Sequence, residues 1–487
     1  MVIVLALSFG AMTVTTAMLP TLIPLGPALS EAQAREIFRQ GEEAVVFALL
    51  SLAQQLAEQP ATPPPVVTPT TPSAMIPPYL KPKLDGRRKR PGRKDGHPGS
   101  RRPTPEPNRR ADHRLASCPD CHGPLTRTDQ ARTRITEDIP QAITPVVTEH
   151  TIHRDWCPHC QKAVEPVVTD ALPAATLGNR TLVLSAWLHY GLGNTLSQIV
   201  AIFNHHLTLK VTPGGLIQMW YRLQAILFAW YLEIQAQALG SAVLHGDETG
   251  WRVNGKTHWL WCFATTDLTY FMIDRSRGSP ALAEFFKDEF AGTLVTDFWG
   301  AYNAVACARK QRCLVHLLRE LKTVEKYGRP GPSWPAFAKK LRRLLGDAIR
   351  LKKREGVPVE ESASRRARLT ARLDELIATE WEDKDAKRLI KRLRRHRDEL
   401  LTFLDEPEVP FDNNLAERAI RPAVMIRKNS FGNRSDRGAD TQAVLMSVYR
   451  TLQQRGHAPL KTVVDALTTY LKTGKLPPLP AEVTAVG

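Results

Sequence analysis

The chain has 487 residues, with 66 Lys or Arg against 49 Asp or Glu, which gives a formal net charge of +17. Its 43% hydrophobic residues are enough for packed domains, so the composition excludes an intrinsically disordered protein. Its 7 cysteines are too few for a disulfide scaffold of this length, and they indicate a reducing compartment.

The positive charge is concentrated in two blocks. Residues 81–114 hold 13 basic and 4 acidic side chains, a net charge of +9. Residues 338–400 hold 20 basic and 12 acidic side chains, a net charge of +8, so the rest of the chain sums to zero. Two separate basic blocks favour a polyanionic partner over a small neutral ligand.

Residues 1–30 form a leader without a charged side chain. The apolar run 1–19 is compatible with a membrane anchor, but no basic residue precedes it and Pro20 interrupts it. A poorly ordered tail, or a start codon assigned too far upstream, fits this run better. No membrane partner is therefore expected.

Residues 31–58 are predicted to form one amphipathic helix. Ser30 and Gln33 have the spacing of a capping box, and apolar residues recur behind them at helical intervals. The helix either packs on its own chain or pairs with a second copy as a coiled coil, and both alternatives stay open. The second alternative would make the protein a homo-oligomer.

Residues 59–112 are predicted to be an extended linker, because residues 59–110 contain 14 of the 37 prolines. The second half is a basic arm of the kind that follows DNA phosphates, although a solubilising tether has the same composition. The arm residues expected to contact DNA are Arg87, Arg88, Lys89, Arg90, Arg93 and Lys94.

Residues 113–170 contain two Cys-x-x-Cys motifs, and the segment between them is expected to supply the strands of a small zinc ribbon. Two such motifs provide four thiolates for a tetrahedral site. A redox pair is the alternative, but it needs one motif at a helix N-terminus. The predicted ligands of a structural Zn²⁺ are Cys118, Cys121, Cys157 and Cys160.

Residues 171–240 have a helical pattern, with helices over 195–203 and 216–228 joined by a bend at 211–215. A helix-turn-helix DNA reader and a packed helical pair both fit this pattern. Few basic residues lie on the second helix, so the packed pair is at least as compatible with the sequence.

From residue 241 the pattern changes to strands. Runs ending at Asp247, Ala264 and Asp274 predict three antiparallel strands, and Asn254-Gly255 predicts the hairpin between the first two. A helix and a fourth strand, which ends at Asp297, follow. This order is that of a ribonuclease-H-like fold, in which the first and fourth strands are neighbours. The two aspartates are therefore expected to lie side by side.

The predicted fold class is multi-domain α+β. A ribonuclease-H-like catalytic core (241–325 and 407–440) carries a basic helical insertion (326–406) and is followed by a C-terminal helical segment (441–487). The zinc-ribbon module and the N-terminal helix precede it. The insertion either holds DNA over the active site or is a surface helix pair with solvated arginines.

Two adjacent carboxylates repel each other unless a cation lies between them, and Mg²⁺ or Mn²⁺ prefers such oxygen ligands. A third acid, Glu417, is expected in a helix that Asp412 would cap. Its alternative role is a salt bridge with Arg421, one helical turn later. The predicted metal-binding and catalytic residues are therefore Asp247, Asp297 and Glu417.

Further polar residues flank these acids. His316 and Arg319 are expected on one helix face, where they could position a phosphate, although a core histidine is as compatible. Asn413 and Asn414 could hold a strand backbone or a metal-bound water. The cations expected to contact phosphates beside the acids are Arg418, Arg421, Arg427 and Lys428.

Several motifs together resemble the DD-E transposases of bacterial insertion sequences, and most closely the insertion sequence 66 family, over nearly the whole chain. They are Gly246-Asp-Glu-Thr, Thr296-Asp-Phe-Trp-Gly-Ala-Tyr302, Cys313-Leu-Val-His316, Asn413-Asn-Leu-Ala-Glu-Arg418 and Arg427-Lys-Asn429. The resemblance implies cut-and-join chemistry on element ends, with Asp247, Asp297 and Glu417 as the acidic triad. It also implies companion proteins encoded by the same element.

The predicted function is therefore that of a DNA transposase, which cleaves element ends and transfers the freed 3′-hydroxyl to target double-stranded DNA. Its expected location is the bacterial cytoplasm, at the nucleoid. A ribonuclease-H-like nuclease or resolvase is one alternative. A catalytically silent DNA-binding protein derived from a transposase is the other.

Overall fold

The computed structural model of the chain describes residues 30–39, 41–58, 105–126, 132–139, 143–328, 330–354 and 358–483. The predicted leader apart from Ser30, most of the predicted linker and the six cations of its basic arm lie outside these residues. No helix within the described ranges is long and apolar enough to cross a bilayer. The chain divides into two compact units, Met1–Asp85 and Gly86–Gly487.

The described part of the first unit contains two helices, α1 (Glu31–Arg39) and α2 (Glu42–Glu58). The predicted capping box is confirmed, since the Ser30 N–H donates to Oε1 of Gln33 at 2.9 Å. The prediction of one continuous helix was wrong, because Gly41 has a φ of +100°, which no right-handed helix can contain. The coiled-coil alternative stays a prediction.

The second unit begins with the cysteine-rich module, whose regular structure is one hairpin. Strands β1 (Asp155–Cys157) and β2 (Lys162–Val164) pair antiparallel around the second cysteine motif. The prediction that the segment between the two motifs supplies the strands holds only at its end, since β1 begins at Asp155 and the other described residues of that segment form no strand. Val146 and Val147 in that segment are 93% and 90% exposed, so no layer packs on them to support a strand.

A helical layer follows the cysteine-rich module. Helices α3 (Asn179–Ala186) and α4 (Leu196–Ala201) are each continued by one π-helical turn, and α5 (Pro213–Leu239) is the long helix of this layer. Trp220, Leu227 and other residues of α5 are buried against the sheet and the C-terminal helices. The second helix of the predicted pair is thus a core helix, which favours the packed-pair alternative over a DNA reader.

The main sheet of the second unit has five strands: β3 (Val243–Val253), β4 (Lys256–Ala264), β5 (Thr269–Asp274), β6 (Phe290–Thr296) and β7 (Cys307–Arg312). Their order across the sheet is β5-β4-β3-β6-β7. The first three strands in sequence pair antiparallel, as predicted, whereas β6 pairs parallel to both β3 and β7. Helix α6 (Ser279–Phe285) connects β5 to β6. The edge strand β7 was not predicted.

The first predicted strand is longer than expected. Asn254 and Gly255 have φ values of +49° and +72°, so the predicted hairpin turn is confirmed. Because β3 continues to this turn, Asp247 lies within the strand and not at its end. Asp297 directly follows the last residue of β6, as the sequence predicted to within one residue.

Helices α7 (Leu314–Tyr327), α8 (Trp334–Lys352), α9 (Val359–Ala378) and α10 (Lys384–Arg395) follow the sheet. The last three make up the predicted insertion. Together with α7 they enclose a second hydrophobic core, which reaches the sheet at Val295. The insertion is therefore a packed part of the second unit rather than a surface helix pair.

The chain ends in α11 (Asn414–Ala419), α12 (Arg421–Ser430), α13 (Asp436–Gln454) and α14 (Pro459–Thr473). The predicted boundary at residue 440 was wrong, because it cuts through α13. Hydroxyl groups of α13 accept backbone N–H groups of the edge strand β5, with Ser447 Oγ 2.9 Å from the Phe271 N. Helix α13 therefore satisfies backbone N–H groups at the edge of the sheet.

A buried arginine connects the sheet to the insertion. Arg312 donates from Nε to Glu399 at 2.6 Å, from Nη1 to the Asp297 carbonyl at 2.9 Å and from Nη2 to Asn303 at 2.8 Å. Burial alone would raise the pKa of Glu399, but hydrogen bonds from His396 and Arg312 lower it to about 2. The carboxylate therefore stays ionised in the folded chain.

We predict that Glu399→Gln lowers the free energy of unfolding by about 2 kcal/mol at pH 7. A carboxylate whose pKa is depressed on folding stabilises the fold fully above its unfolded pKa, near 4.5, and loses that contribution as pH falls toward 2. Urea unfolding should therefore show the difference from wild type shrinking between pH 5 and pH 3. A difference that stays constant over this range would contradict the assignment. Glu375→Gln, with a 68% exposed carboxylate, is the control and should change stability little.

Candidate active site

The pairing of β3 with β6 brings two acidic residues together where β6 ends beside β3. The last parallel pair is His245 with Val295, and Asp247 and Asp297 each lie two residues further on. Burial raises the pKa of Asp247 well above its usual range, and the negative charges of Glu248 and Asp297 raise it further. The two aspartates are thus electrostatic neighbours, as the order of elements predicted.

Glu417, on α11, also raises the pKa of Asp247, so the third predicted acid faces the same site. Its carboxylate lies 3.6 Å from Nη2 of Arg319 and 3.7 Å from Nε2 of His316, too far for hydrogen bonds. Within the described ranges, Oε1 of Glu417 and Nδ1 of His316 are buried without a hydrogen-bond partner. The cluster therefore has polar atoms available for a ligand.

His316 and Arg319 lie one turn apart on α7, as predicted, with 3.4 Å between Nε2 and Nη1. Burial lowers the pKa of His316. Because α11 ends at Ala419, Arg421 is not one turn further along the same helix as Glu417. Glu417 therefore does not form the alternative helix pair with Arg421. Its carboxylate instead lies beside His316 and Arg319 of α7.

Asn413 holds the strand that carries Asp247. Its Nδ2 donates to the Gly246 carbonyl at 2.8 Å, and its Oδ1 lies 2.9 Å from Nδ1 of His245. Of the two roles left open for this residue, the structure shows the strand-backbone contact. Asp412 does not occupy the capping position predicted for it: Asn413 precedes α11, while Asp412 accepts the Asn414 N–H at 3.1 Å.

Glu248 has direct partners that were not predicted from the sequence. The Glu248 side chain is 2% exposed and faces the sheet side opposite to Asn413. It accepts hydrogen bonds from Arg277 at 3.0 Å and from the Tyr302 hydroxyl at 2.9 Å. Burial, followed by the charge of Asp297, raises the pKa of Glu248 to about 7, although Tyr302 and Arg277 oppose this shift.

Arg277 is enclosed by aromatic rings. Its guanidinium lies 3.8 Å from the Trp299 ring centroid and 4.4 Å from that of Trp259. Trp299 and Tyr302 belong to the sequence motif around Asp297, so that motif could have identified them as neighbours of the site. Arg277 itself lies in a Ser/Gly-rich turn, 29 residues after its partner Glu248, so only the folded chain identifies it.

The predicted phosphate-binding cations divide into two groups. Arg418, Arg421 and Lys428 are exposed, and the first two line a shallow cleft of about 400 Å³ beside Asn414 and Glu417. Arg427 is instead half-buried, and its Nη1 donates to Thr249 Oγ1 at 2.9 Å and to the Gly250 carbonyl at 2.5 Å. The prediction that Arg427 contacts phosphates is not supported, because β3 occupies that nitrogen.

Each cysteine motif forms a compact turn. The Cys118 N–H donates to the Gly123 carbonyl at 3.0 Å, and the Cys160 N–H donates to Sγ of Cys157 at 3.4 Å. Backbone hydrogen bonds from Cys121 and Cys160 lower the pKa of the Cys118 and Cys157 thiols, respectively. Lowered thiol pKa values favour the thiolate form that binds metals.

In the part of the chain that the structure describes, no three His, Cys, Asp or Glu side chains converge closely enough to hold a metal ion. The cysteine turns and the three acids nevertheless have suitable donor chemistry. Thiolates suit Zn²⁺, and carboxylates, one of which here has a buried oxygen without a partner, suit a hard divalent cation. Both sets would have to close on an ion by side-chain movement.

Comparison with known proteins gives family matches for both regions. The family model described as "Transposase IS66 family" matches residues 175–441, which include all three acids. The model described as "zinc-finger binding domain of transposase IS66" matches residues 116–161, which include the four cysteines.

Two relatives come from Sinorhizobium fredii. The uncharacterized protein y4qI is 28% identical over 241 residues, 44% of this chain and 44% of the relative. The uncharacterized protein y4hP is 24% identical over 393 residues, 72% of this chain and 70% of the relative. The chain thus matches less than half of the length of the first relative.

We predict that Arg277→Met lowers the free energy of unfolding by about 3 kcal/mol, because the buried Glu248 carboxylate loses its cation. The double variant Arg277→Met/Glu248→Gln should recover part of this loss, since a neutral amide needs no counter-charge. Urea unfolding of the two single variants and the double variant measures the coupling, expected at about 1–3 kcal/mol. Strictly additive losses would exclude the coupling. Arg275→Met, at an exposed position two residues away, is the control.

Proposed function

Because the chain belongs to the IS66 family of transposases, we propose that it cleaves DNA at the ends of an insertion sequence and joins them to target DNA. The observation that carries this proposal is the electrostatic coupling of three acids from separate segments. Asp247 and Asp297 lie on neighbouring parallel strands or directly after them, and the charges of Asp297 and of Glu417 from α11 both act on Asp247. A DD-E site requires three such acids from separate segments.

We further propose that the main sheet is ribonuclease-H-like. The strand order β5-β4-β3-β6-β7, with three antiparallel strands followed by two parallel ones, supports this assignment. The helical insertion between α7 and α11 separates the second acid from the third in sequence, yet both act electrostatically on His316. An insertion at this position lengthens the chain without changing the sheet.

Asp247, Asp297 and Glu417 would hold Mg²⁺ or Mn²⁺ through carboxylate oxygens, the donors that these cations prefer. When bound, the ions would activate the attacking oxygen and stabilise the leaving one in a phosphodiester displacement. The charges that raise the pKa of Asp247 support this role, because a dication would offset them. Among the described residues, no positive charge acts on Asp247 more strongly than these negative charges do. Glu248, in contrast, has Arg277 as its ion-pair partner.

The remaining residues of the site would orient DNA and the acids. Asn413 fixes the backbone next to Asp247, so we assign it a positioning role. Arg418 and Arg421 line the cleft beside Glu417, where guanidinium groups would contact the phosphates that flank the scissile bond. His316 and Arg319 would hold Glu417, or a phosphate that displaces it.

Two chemical steps would use this site. In the first, a water oxygen bonds to phosphorus and the 3′-oxygen of the element end leaves as a hydroxyl. In the second, that hydroxyl attacks a target phosphodiester in line, and the target 3′-oxygen leaves. Both steps are displacements at phosphorus, so one set of acids serves both.

DNA recognition is proposed for the zinc-finger region, with Cys118, Cys121, Cys157 and Cys160 as the Zn²⁺ ligands, and for the basic arm before it. We also propose that the chain forms a homo-oligomer and that it acts with companion proteins encoded by the same element. The exposed apolar residues of α2, such as Leu49 and Leu50, support pairing between copies.

We predict that Asp297→Asn retains duplex DNA binding while cleavage falls by about a thousandfold or more. The amide keeps the size of the side chain but removes the charge needed for a divalent cation. Nicking and binding are measured on duplexes that carry the terminal repeats of the element, in Mg²⁺. Asp274→Asn, which alters an acid that also ends a strand, is the control and should cleave normally.

Undiminished cleavage by Asp297→Asn would remove that residue from the site. Strand transfer from pre-cleaved ends into a plasmid separates the enzyme classes. Cleavage without joining would favour the nuclease alternative, and binding without cleavage by wild type would favour the silent DNA-binding protein.

We predict that the full chain purifies with one Zn²⁺, and that Cys118→Ser/Cys157→Ser lacks it, because each turn loses one of its two sulfur donors. Metal content by mass spectrometry is the measurement. Cys307→Ser, at a half-buried cysteine outside the turns, should retain the metal. Full zinc content in the double variant would exclude these ligands.

A further inference from the structure

The insertion contains a second cleft, formed between α8 and α9 and far in sequence from the acids. Its volume is about 350 Å³. We call it the arginine cleft, because its polar lining consists of five arginines and one acid. These residues are Arg350, Arg354, Arg365, Arg368, Arg372 and Asp347.

The helical spacing of the arginines brings them to one face. Arg365, Arg368 and Arg372 follow each other at intervals of three and four residues along α9, so they line one stripe. Arg350 lies in the last turn of α8, and Arg354 follows two residues after that helix ends. The five cations therefore converge on one concave surface.

Asp347 offsets only part of this charge. It bridges the two helices, pairing with Arg350 on α8 and, at 2.8 Å, with Arg372 on α9. Arg365 pairs with Glu361 at 2.8 Å on its own helix. Arg354 and Arg368 are exposed and form no ion pair with any residue in the described ranges. The cleft thus retains uncompensated positive charge, which polyanions neutralise.

The cleft is firmly attached to the main sheet. Lys352 Nζ donates to the carbonyls of Phe403 at 2.7 Å and Glu406 at 2.7 Å, which fixes the end of α8. The Glu406 carboxylate in turn accepts a hydrogen bond from Thr293 Oγ1 at 2.7 Å. Thr293 lies on β6, the strand that leads directly to Asp297.

We propose that the arginine cleft binds the phosphate backbone of duplex DNA and holds that duplex in a fixed position relative to the strand that precedes Asp297. The inference rests on the proposed transposase function, since a second DNA-binding site is of use to a protein that acts on DNA. It adds a binding site within the insertion that is separate from the basic arm and from the cations beside Glu417.

The test is the salt dependence of DNA binding by Arg354→Ala/Arg368→Ala in the full chain. We expect affinity for a labelled mixed-sequence duplex to fall about tenfold, equally for two unrelated sequences, because backbone contacts carry no sequence information. The slope of log affinity against log NaCl concentration should flatten by about 1.8, since each lost phosphate contact contributes about 0.9.

The control is Lys391→Ala/Arg395→Ala, which removes two exposed cations spaced by one turn on α10. It should leave affinity and slope close to wild type. If both double variants behave alike while wild type binds DNA, the cleft is not the site and the proposed function stands. If wild type binds no duplex DNA, the proposed function fails as well.

Two further outcomes bear on the same inference. Stronger binding of single-stranded RNA than of duplex DNA, lost in the cleft variant, would overturn the choice of ligand. A second measurement uses only the wild-type chain, so it does not depend on whether a variant folds. In it, phenylglyoxal modifies the arginines with and without bound DNA. Protection of Arg354 and Arg368 by the duplex, but not of Arg395, would support the cleft, and equal reactivity with and without DNA would overturn it.

Discussion

The parallel pairing of β3 with β6 is the constraint on which the rest of the second unit depends. Side chains alternate along both strands, so Leu244 and Leu294 face the larger core, whereas Val295 faces the core of the insertion. The register His245 with Val295 carries this alternation forward to Asp247 and Asp297. A shift of one residue would move one aspartate to the wrong side and expose apolar side chains on both faces.

Consecutive acids on β3 illustrate how the two faces differ. Glu248 faces the larger core and has Arg277 and Tyr302 as direct partners. Asp247 faces α7 and α11, where its carboxylate accepts the Glu248 N–H but burial, and then other negative charges, raise its pKa. Burial raises the pKa of both acids, but Arg277 and Tyr302 oppose the shift for Glu248, whereas the causes that act on Asp247 include three negative charges and no cation. Burial beside uncompensated like charges is typical of functional sites. The same short motif therefore contains a structural acid and a candidate catalytic one.

The insertion shows that net charge and available charge are different quantities. Many of its arginines are used internally: Arg388 and Arg392 both pair with Glu320, and Arg397 pairs with Asp374. These pairs hold the helices to α7 and to each other. Arg354 and Arg368 of the arginine cleft are among the exposed cations that no ion pair uses within the described ranges, and composition alone could not separate them from the structural pairs.

The sequence by itself determined four of the five strands of the main sheet, the hairpin turn at Asn254-Gly255 and the helical character of the insertion, because these depend on local periodicity. It also identified the three candidate acids, because that choice depends on residue chemistry. It could not determine where α13 belongs, since that helix is defined by hydroxyl contacts to β5, 176 residues away for the Ser447–Phe271 pair. Nor could it assign Arg277, Arg427 or Asn413, whose partners are distant in sequence. Only the tertiary structure decided which polar groups pair with one another and which remain for a ligand, because burial and charge act between residues that are neighbours in space.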